Sequence, residues 1–288
     1  MSALLFEAVV AGVLLGGVYG LVALGLNIIY GVLDIINFAH GAMMMMGMYI
    51  AFWLFQLYGI DPYVSIFIAG PALFVFGGVV YRFLLDPMRG TALQNQFLVT
   101  LGLSLFIINA AQVMFSPDFR VLQTSYAQEV VQIGPAFVPL TRIFTFITAL
   151  IATAILLFLF QKTRLGRSIR AVAQQQDGAA LCGINVCWIY TLAFALGSAC
   201  VGVAGAAVTP FFYVSPTVGD VFNIASFVVV VLGGLGSMSG ALLGGLVLGI
   251  TVSVGAALLP GSFKEVLMFA IFLGVLLFRP TGLLGSRA

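Results

Sequence analysis

VFNIASFVVVVLGGLGSMSGALLGGLVLGITVSVGAALLPGSF, residues 221–263, runs without a single charged side chain. A helix crosses the hydrocarbon core of a bilayer with about 20 apolar residues, so this stretch alone has room for two crossings. The interval 178–219 has room for two more, and shorter charge-free intervals fill 8–33, 35–60, 62–81, 90–117 and 143–161. Over 288 residues the chain is 62% hydrophobic and only 7% charged, with 34 glycines and a mean hydropathy of +1.20. Soluble domains carry about 25% charged residues, so a water-facing surface cannot be built from this material. The strands of an outer-membrane barrel would alternate apolar and polar residues over about 10 positions, and no such alternation appears. The expected fold class is all-α: a polytopic helical membrane protein with about 8–10 transmembrane helices, forming a single integral-membrane domain over 1–288.

Candidate spans fall at 8–30, 40–58, 63–84, 95–115, 142–161, 188–212, 222–236, 241–259 and 264–279. Loop arginines and lysines set orientation, because cytoplasmic loops carry the excess. Lys162, Arg164, Arg167 and Arg170 crowd into nine positions, which places the 162–187 loop in the cytoplasm. Alternation then brings Arg82, Arg89, Arg279 and Arg287 to the same side and puts 116–141, a long external loop, opposite together with 213–221. A split or re-entrant element near Asp34–His40 would change the side of the N-terminus. That terminus lacks a basic n-region, and its apolar run exceeds a signal-peptide core, so it reads as a retained first span. The net charge of +2 argues against a nucleic-acid partner. Cys182, Cys187 and Cys200 have neither metal spacing nor the numbers of a disulfide scaffold.

The segment DIINFA (34–39) followed by Gly47 matches DVFNIA (220–225) followed by Gly233 at a constant offset. Two readings stand: coincidence in a low-entropy apolar chain, or a possible inverted repeat, which in transporters places interrupted helices at a mid-membrane site. On the second reading Asn37, His40 and Asn223, with Gly233, Gly234 and Gly236, are candidates for a translocation path. His40 is equally a hydrogen-bonded structural group, and Asn37 and Asn223 equally helix caps. Gly12, Gly16, Gly20 and Gly31, and the glycines of 233–245, fit small-residue helix contacts. The 233–240 stretch also fits a helix break, on a pathway or at a cytoplasmic turn.

Catalytic constellations are nearly absent. His40 is the lone histidine, and no glycine-rich loop precedes either lysine in the pattern of a phosphate-binding P-loop. The chain is expected to be no enzyme, to bind no cofactor and to hold no ATP. No acidic residue sits at a span centre, where ion-coupled pumps keep one. An uphill carrier with neither device must take its energy from another subunit. The 161–187 loop suits that need: Leu165, Ile169, Val172 and Leu181 recur on one face while Arg167, Arg170, Gln174 and Asp177 take others, an amphipathic surface helix with Gly178 and Gly183 flanking its end. The competing reading is an anchor lying on lipid headgroups.

Four segments carry a family resemblance: GGVYGLVALGLNIIYGVLDIINFAHG (16–41), TRLGRSIRAVAQQQDGAALCGINV (163–186), GGLGSMSGALLGG (233–245) and FRPTGLLG (278–285). In that order and at those separations, the chain resembles the LivH/LivM-type permeases, the membrane subunits of ABC importers for branched-chain amino acids. The resemblance implies a multi-pass subunit of a bacterial-type inner membrane. It implies partners too: two cytoplasmic ABC ATPase subunits that hydrolyse ATP, a second and homologous permease subunit, and an external solute-binding protein. It also implies that Arg164, Gly166, Arg167, Arg170, Asp177, Gly178, Ala179 and Gly183 form the ATPase-coupling loop. Two departures stand out: Ala42 and Met43–Met46 where some relatives carry an acidic residue, and Cys187 with Trp188 where a polar pair is common. Urea, short amides or another small solute remain alternative cargoes, and a stand-alone secondary transporter or channel an alternative class. A neutral pathway with weak binding, about millimolar, is the expected transport design.

Overall fold

The computed structural model describes residues 2–258, 263–279 and 281–284. Its helices are α1 (Ser2–Leu33), α2 (His40–Tyr58), α3 (Pro62–Val80), α4 (Leu93–Phe115), α5 (Leu140–Lys162), α6 (Arg164–Gln174), α7 (Gln176–Leu181), α8 (Val186–Val208), α9 (Val218–Gly233), α10 (Met238–Leu258) and α11 (Phe263–Phe278). Seven of these, α1 to α5, α8 and α10, are long and apolar enough to cross a membrane; α9 and α11 are shorter apolar helices. The helices α1 and α8 form the centre, with 72% of the most apolar stretch of each buried, against 22% in α4 and 28% in α5. The outer ring therefore offers its apolar side chains to lipid, which gives no hydrophobic drive for helix association.

Small residues supply what that drive does not. Gly12 and Gly16 of α1 lie directly on the backbone of α10. A Cβ at Gly12 would stand 2.6 Å from the Cα of Ile250, and one at Gly16 2.8 Å from the Cα of Leu246. The two helices run antiparallel at backbone contact, so the small-residue reading of these positions holds. Near α1's end the chain turns at Asp34, in the left-handed region at φ 56°, and residues 34–39 fold back along α1 before α2 begins. At the start of α3, Asp61 accepts from the Tyr63 backbone N–H at 2.8 Å and Pro62 occupies the first helical position, a favourable cap and first residue. Gly59 ends α2 at φ 66°.

The structure departs from the sequence reading in three places. Helix α9 begins at Val218 rather than 222, which brings Asp220 into its first turn, where the helix dipole favours an anion. The loop 116–141 contains a hairpin, β1 (Val130–Ile133) paired antiparallel with β2 (Ala136–Pro139), which closes through Gly134 at φ 61°. The expected single amphipathic helix is two, because Gln175 is extended (φ −156°, ψ 103°) between α6 and α7. Gly178 consequently lies inside α7, and Gly183, at φ 80°, alone supplies the stop. Span 241–259 ends on a residue outside those described, as do Arg287 and the final glycine of 278–285.

Candidate translocation junction and coupling surface

Two helix N-termini meet inside the bundle. Gly25 of α1 packs against Gly197 and Cys200, midway along α8, and beside the imidazole of His40. Helix α2 therefore starts at mid-depth, next to α1. There a Cβ on Gly41 would overlap the carbonyl of Gly219 in the first turn of α9, and a Cβ on Gly219 the carbonyl of Gly41. From this contact α2 runs toward the hairpin end and α9 toward the α6 end, so the segments following the DIINFA and DVFNIA motifs run in opposite directions.

The polar groups of the junction are committed to each other. Asn37 Oδ1 accepts from the Ala39 N–H at 3.0 Å, and Asn223 Oδ1 from the Gly41 N–H at 3.3 Å. Asn223 Nδ2 donates to the Phe38 carbonyl at 3.0 Å, and His40 Nε2 lies 2.9 Å from the Val22 carbonyl. Asn37 thus closes a turn just ahead of α2, which has no side-chain cap, and Asn223 bridges two helices. Nδ1 of the fully buried His40 has no partner among the described residues. Asp220 is exposed beside this contact, so a charged group stands next to the two asparagines.

Gly233, Gly234 and Gly236 lie elsewhere. They form the turn between α9 and α10, with Gly234 at φ 106° and Gly236 at φ 79°. Ten residues of helix, about 15 Å, separate Gly233 from Asn223. The turn is held by Asn27, whose Nδ2 donates to the Ser237 carbonyl at 2.7 Å and whose Oδ1 accepts from the Gly236 N–H at 2.7 Å. On its other side Leu283 and Leu284 donate to the carbonyls of Leu232 and Gly233. Asn27 escaped the sequence reading; its signal was being the single asparagine of the charge-free interval 8–33.

At that same end α6 and α7 present a charged surface. Thr163 caps α6 by accepting from the Gly166 N–H at 3.1 Å. Gly166 is buried because a Cβ there would strike the carbonyls of Leu159 and Phe160, so α6 presses onto the end of α5. Arg170 donates to the Phe160 carbonyl, placing a cation at α5's negative dipole end and binding it within the fold. Arg164, Arg167 and Asp177 are exposed, and Ala179 is buried. Ile169 and Val172 are buried as expected, whereas Leu165 and Leu181 are turned outward, Leu181 at 91% exposure. Helix α7 is wired to the long helices by groups not foreseen from sequence. Tyr190 O–H donates to Gln176 Oε1 at 3.0 Å, the Arg89 guanidinium lies 4.9 Å over the Tyr190 ring, and Asp86 pairs with Arg89 and Arg82 at 3.6 and 2.5 Å. The Cys187 thiol donates to Asp86 at 3.3 Å, which gives that unusual residue a place.

Long apolar helices closed by small-residue contacts, with two helix starts meeting at mid-depth, define a multi-pass helical membrane protein. Residues 8–276 match the family described as branched-chain amino acid transport system / permease component. The chain belongs to that family. It is 33% identical, over 97% of its own length and 95% of the relative's, to the high-affinity branched-chain amino acid transport system permease protein BraD of Pseudomonas aeruginosa. To the corresponding permease LivH of Escherichia coli K12 it is 32% identical over 95% and 93%. The fructose import permease FrcC of Rhizobium meliloti is 29% identical over 62% of this chain and 54% of its own length. No solved structure matches the chain.

Proposed function

We propose that this chain is a membrane-spanning subunit of an ATP-driven importer that carries leucine, isoleucine and valine across the cytoplasmic membrane of a bacterial-type cell. The observation that carries the reading is near-full-length similarity to two permeases named for branched-chain amino acids. The geometry supports it. Arg82, Arg89, Lys162, Arg164, Arg167, Arg170 and Arg279 lie on the loops and helix ends of the α6 side, which by the positive-inside rule faces the cytoplasm. On that side α6 and α7 form a docking surface for two ATPase subunits, with Arg164, Arg167, Asp177 and Leu181 outward and Gly166, Ala179 and Gly183 shaping it. The Gln176–Tyr190–Arg89–Asp86 chain passes movement of α7 to α8 and α3. A second permease subunit lies beside this one, and an external binding protein delivers the substrate. The chain itself catalyses no reaction and binds no cofactor; the partners hydrolyse ATP.

The junction performs the transfer step. A passing zwitterion gives up hydration to peptide dipoles at the starts of α2 and α9 and to the amides of Asn37 and Asn223. Reconstituting the full complex in proteoliposomes with its binding protein tests the assignment. ATP-dependent uptake of labelled leucine, competed by valine and isoleucine, is expected. Uptake of urea or a short amide with none of leucine would refute it.

A further inference from the structure

A cavity of about 680 Å³ opens at the end of the bundle opposite α6, between α1, α10, the start of α5 and the loop 209–217. Its walls include Leu14, Phe211, Phe212 and Ser253, and two opposite charges line it, Glu7 and Arg142. Among the described residues these two form no ion pair or hydrogen bond with each other. The Arg142 guanidinium instead lies 5.9 Å over the Phe211 ring, within the cavity's own lining. Arg142 occupies the first turn of α5, where the positive end of the helix dipole disfavours a cation. A cation kept there against the dipole, beside an aromatic wall and a carboxylate that forms no ion pair among the described residues, fits a ligand better than it fits the fold.

We infer that this cavity is an outward-side holding site for a free α-amino acid with an apolar side chain. Arg142 takes the carboxylate, Glu7 the ammonium, and the Phe211–Phe212 wall with Leu14 the side chain. Pockets of about 300–1,000 Å³ accommodate small molecules, so an amino acid fits with water to spare. Position supports the role. The Phe212 ring lies 5.3 Å from that of Phe222, the neighbour of Asn223, so the cavity's aromatic wall reaches the mid-depth junction. The site would receive substrate released outside and feed that junction. It rests on the functional reading above for the identity of the amino acid.

The test is saturation-transfer NMR on the complete transporter in phosphatidylcholine nanodiscs, without binding protein, using leucine and two truncated probes, 4-methylpentanoate and isoamylamine. Leucine should bind at about millimolar affinity, since throughput needs release. Arg142→Gln should weaken leucine and 4-methylpentanoate about tenfold and leave isoamylamine unchanged, and Glu7→Gln should do the reverse for the two probes. Arg142→Lys should restore most leucine binding, and co-purification of the partners shows that each variant is assembled. Leucine binding unchanged in both charge variants overturns the site. So does its abolition when phosphatidylethanolamine replaces phosphatidylcholine, which would show that a lipid headgroup is the occupant. A wild-type complex that imports leucine without binding it at these residues refutes the site alone. A complex that imports no branched-chain amino acid refutes the functional reading.

Discussion

Replacing Gly41 by alanine tests the junction most sharply. The added Cβ would stand 2.7 Å from the Cβ of Asn223 and 2.9 Å from the carbonyl carbon of Gly219. Carbon atoms pack at about 3.5–4.0 Å, so the starts of α2 and α9 must separate by about 1 Å. The 3.3 Å bond from the Gly41 N–H to Asn223 does not survive that shift. The 3.0 Å bond from Asn223 to the Phe38 carbonyl is strained with it. Overpacking costs about 1–3 kcal/mol and each lost bond about 1 kcal/mol, so Gly41→Ala should destabilise the junction by about 2–5 kcal/mol. The assays are leucine uptake in proteoliposomes and thermal unfolding of the purified complex. Uptake should fall more than tenfold and the unfolding temperature should drop. Gly102→Ala is the control, because a Cβ at Gly102 in α4 meets nothing within 4 Å. If the two variants are indistinguishable, the junction is not a tight contact and the reasoning fails.

Asn27→Ala leaves the Gly236 N–H and the Ser237 carbonyl without their partner and should cost about 2–3 kcal/mol, read as a lower unfolding temperature of the complex; an unchanged value would show that water replaces the amide. Arg164→Glu with Arg167→Glu should reduce co-purification of the ATPase subunits and abolish import at normal expression, whereas Arg170→Glu should also destabilise the permease, because Arg170 is bound to the Phe160 carbonyl. If orientation in the membrane changes instead, α6 is a lipid anchor. Asp220→Asn should slow leucine uptake severalfold without altering assembly, since the carboxylate stands at the mouth of the junction; wild-type uptake would remove it from the path.

Composition made the membrane class and the nine apolar helices among the described residues legible, because charge-free length is a demand of the bilayer itself. The charged α6–α7 segment was legible for the same kind of reason: a basic cluster is conspicuous in a chain that is 7% charged. What sequence could not separate was contact from pathway. Asn223 and Gly236 look alike as polar or small residues near a motif, yet Asn223 reaches across to α2 while Gly236 is held by Asn27 from α1. Both contacts join residues more than 180 positions apart, which no local pattern encodes. Leu181 misled for a related reason. Helical spacing assigned it to the buried face, but the break at Gln175 resets the phase of α7 and turns it outward. The Tyr190–Arg89 stack and the Arg82–Asp86–Cys187 cluster likewise depend on where α3 ends beside α8.

On the proposed function, energy enters through α7 from ATPase partners and drives branched-chain amino acid import. Leucine uptake and ATP hydrolysis measured in the same proteoliposomes, for the wild type and for Leu181→Glu, test it directly. Leu181 is 91% exposed, so the substitution costs the isolated fold little and acts at the docking surface. Wild-type uptake should require ATP, and Leu181→Glu should lose uptake together with substrate-stimulated hydrolysis. Leucine uptake that persists at the wild-type rate in the variant, or that proceeds in the wild type without ATP, would rule out coupling through α7.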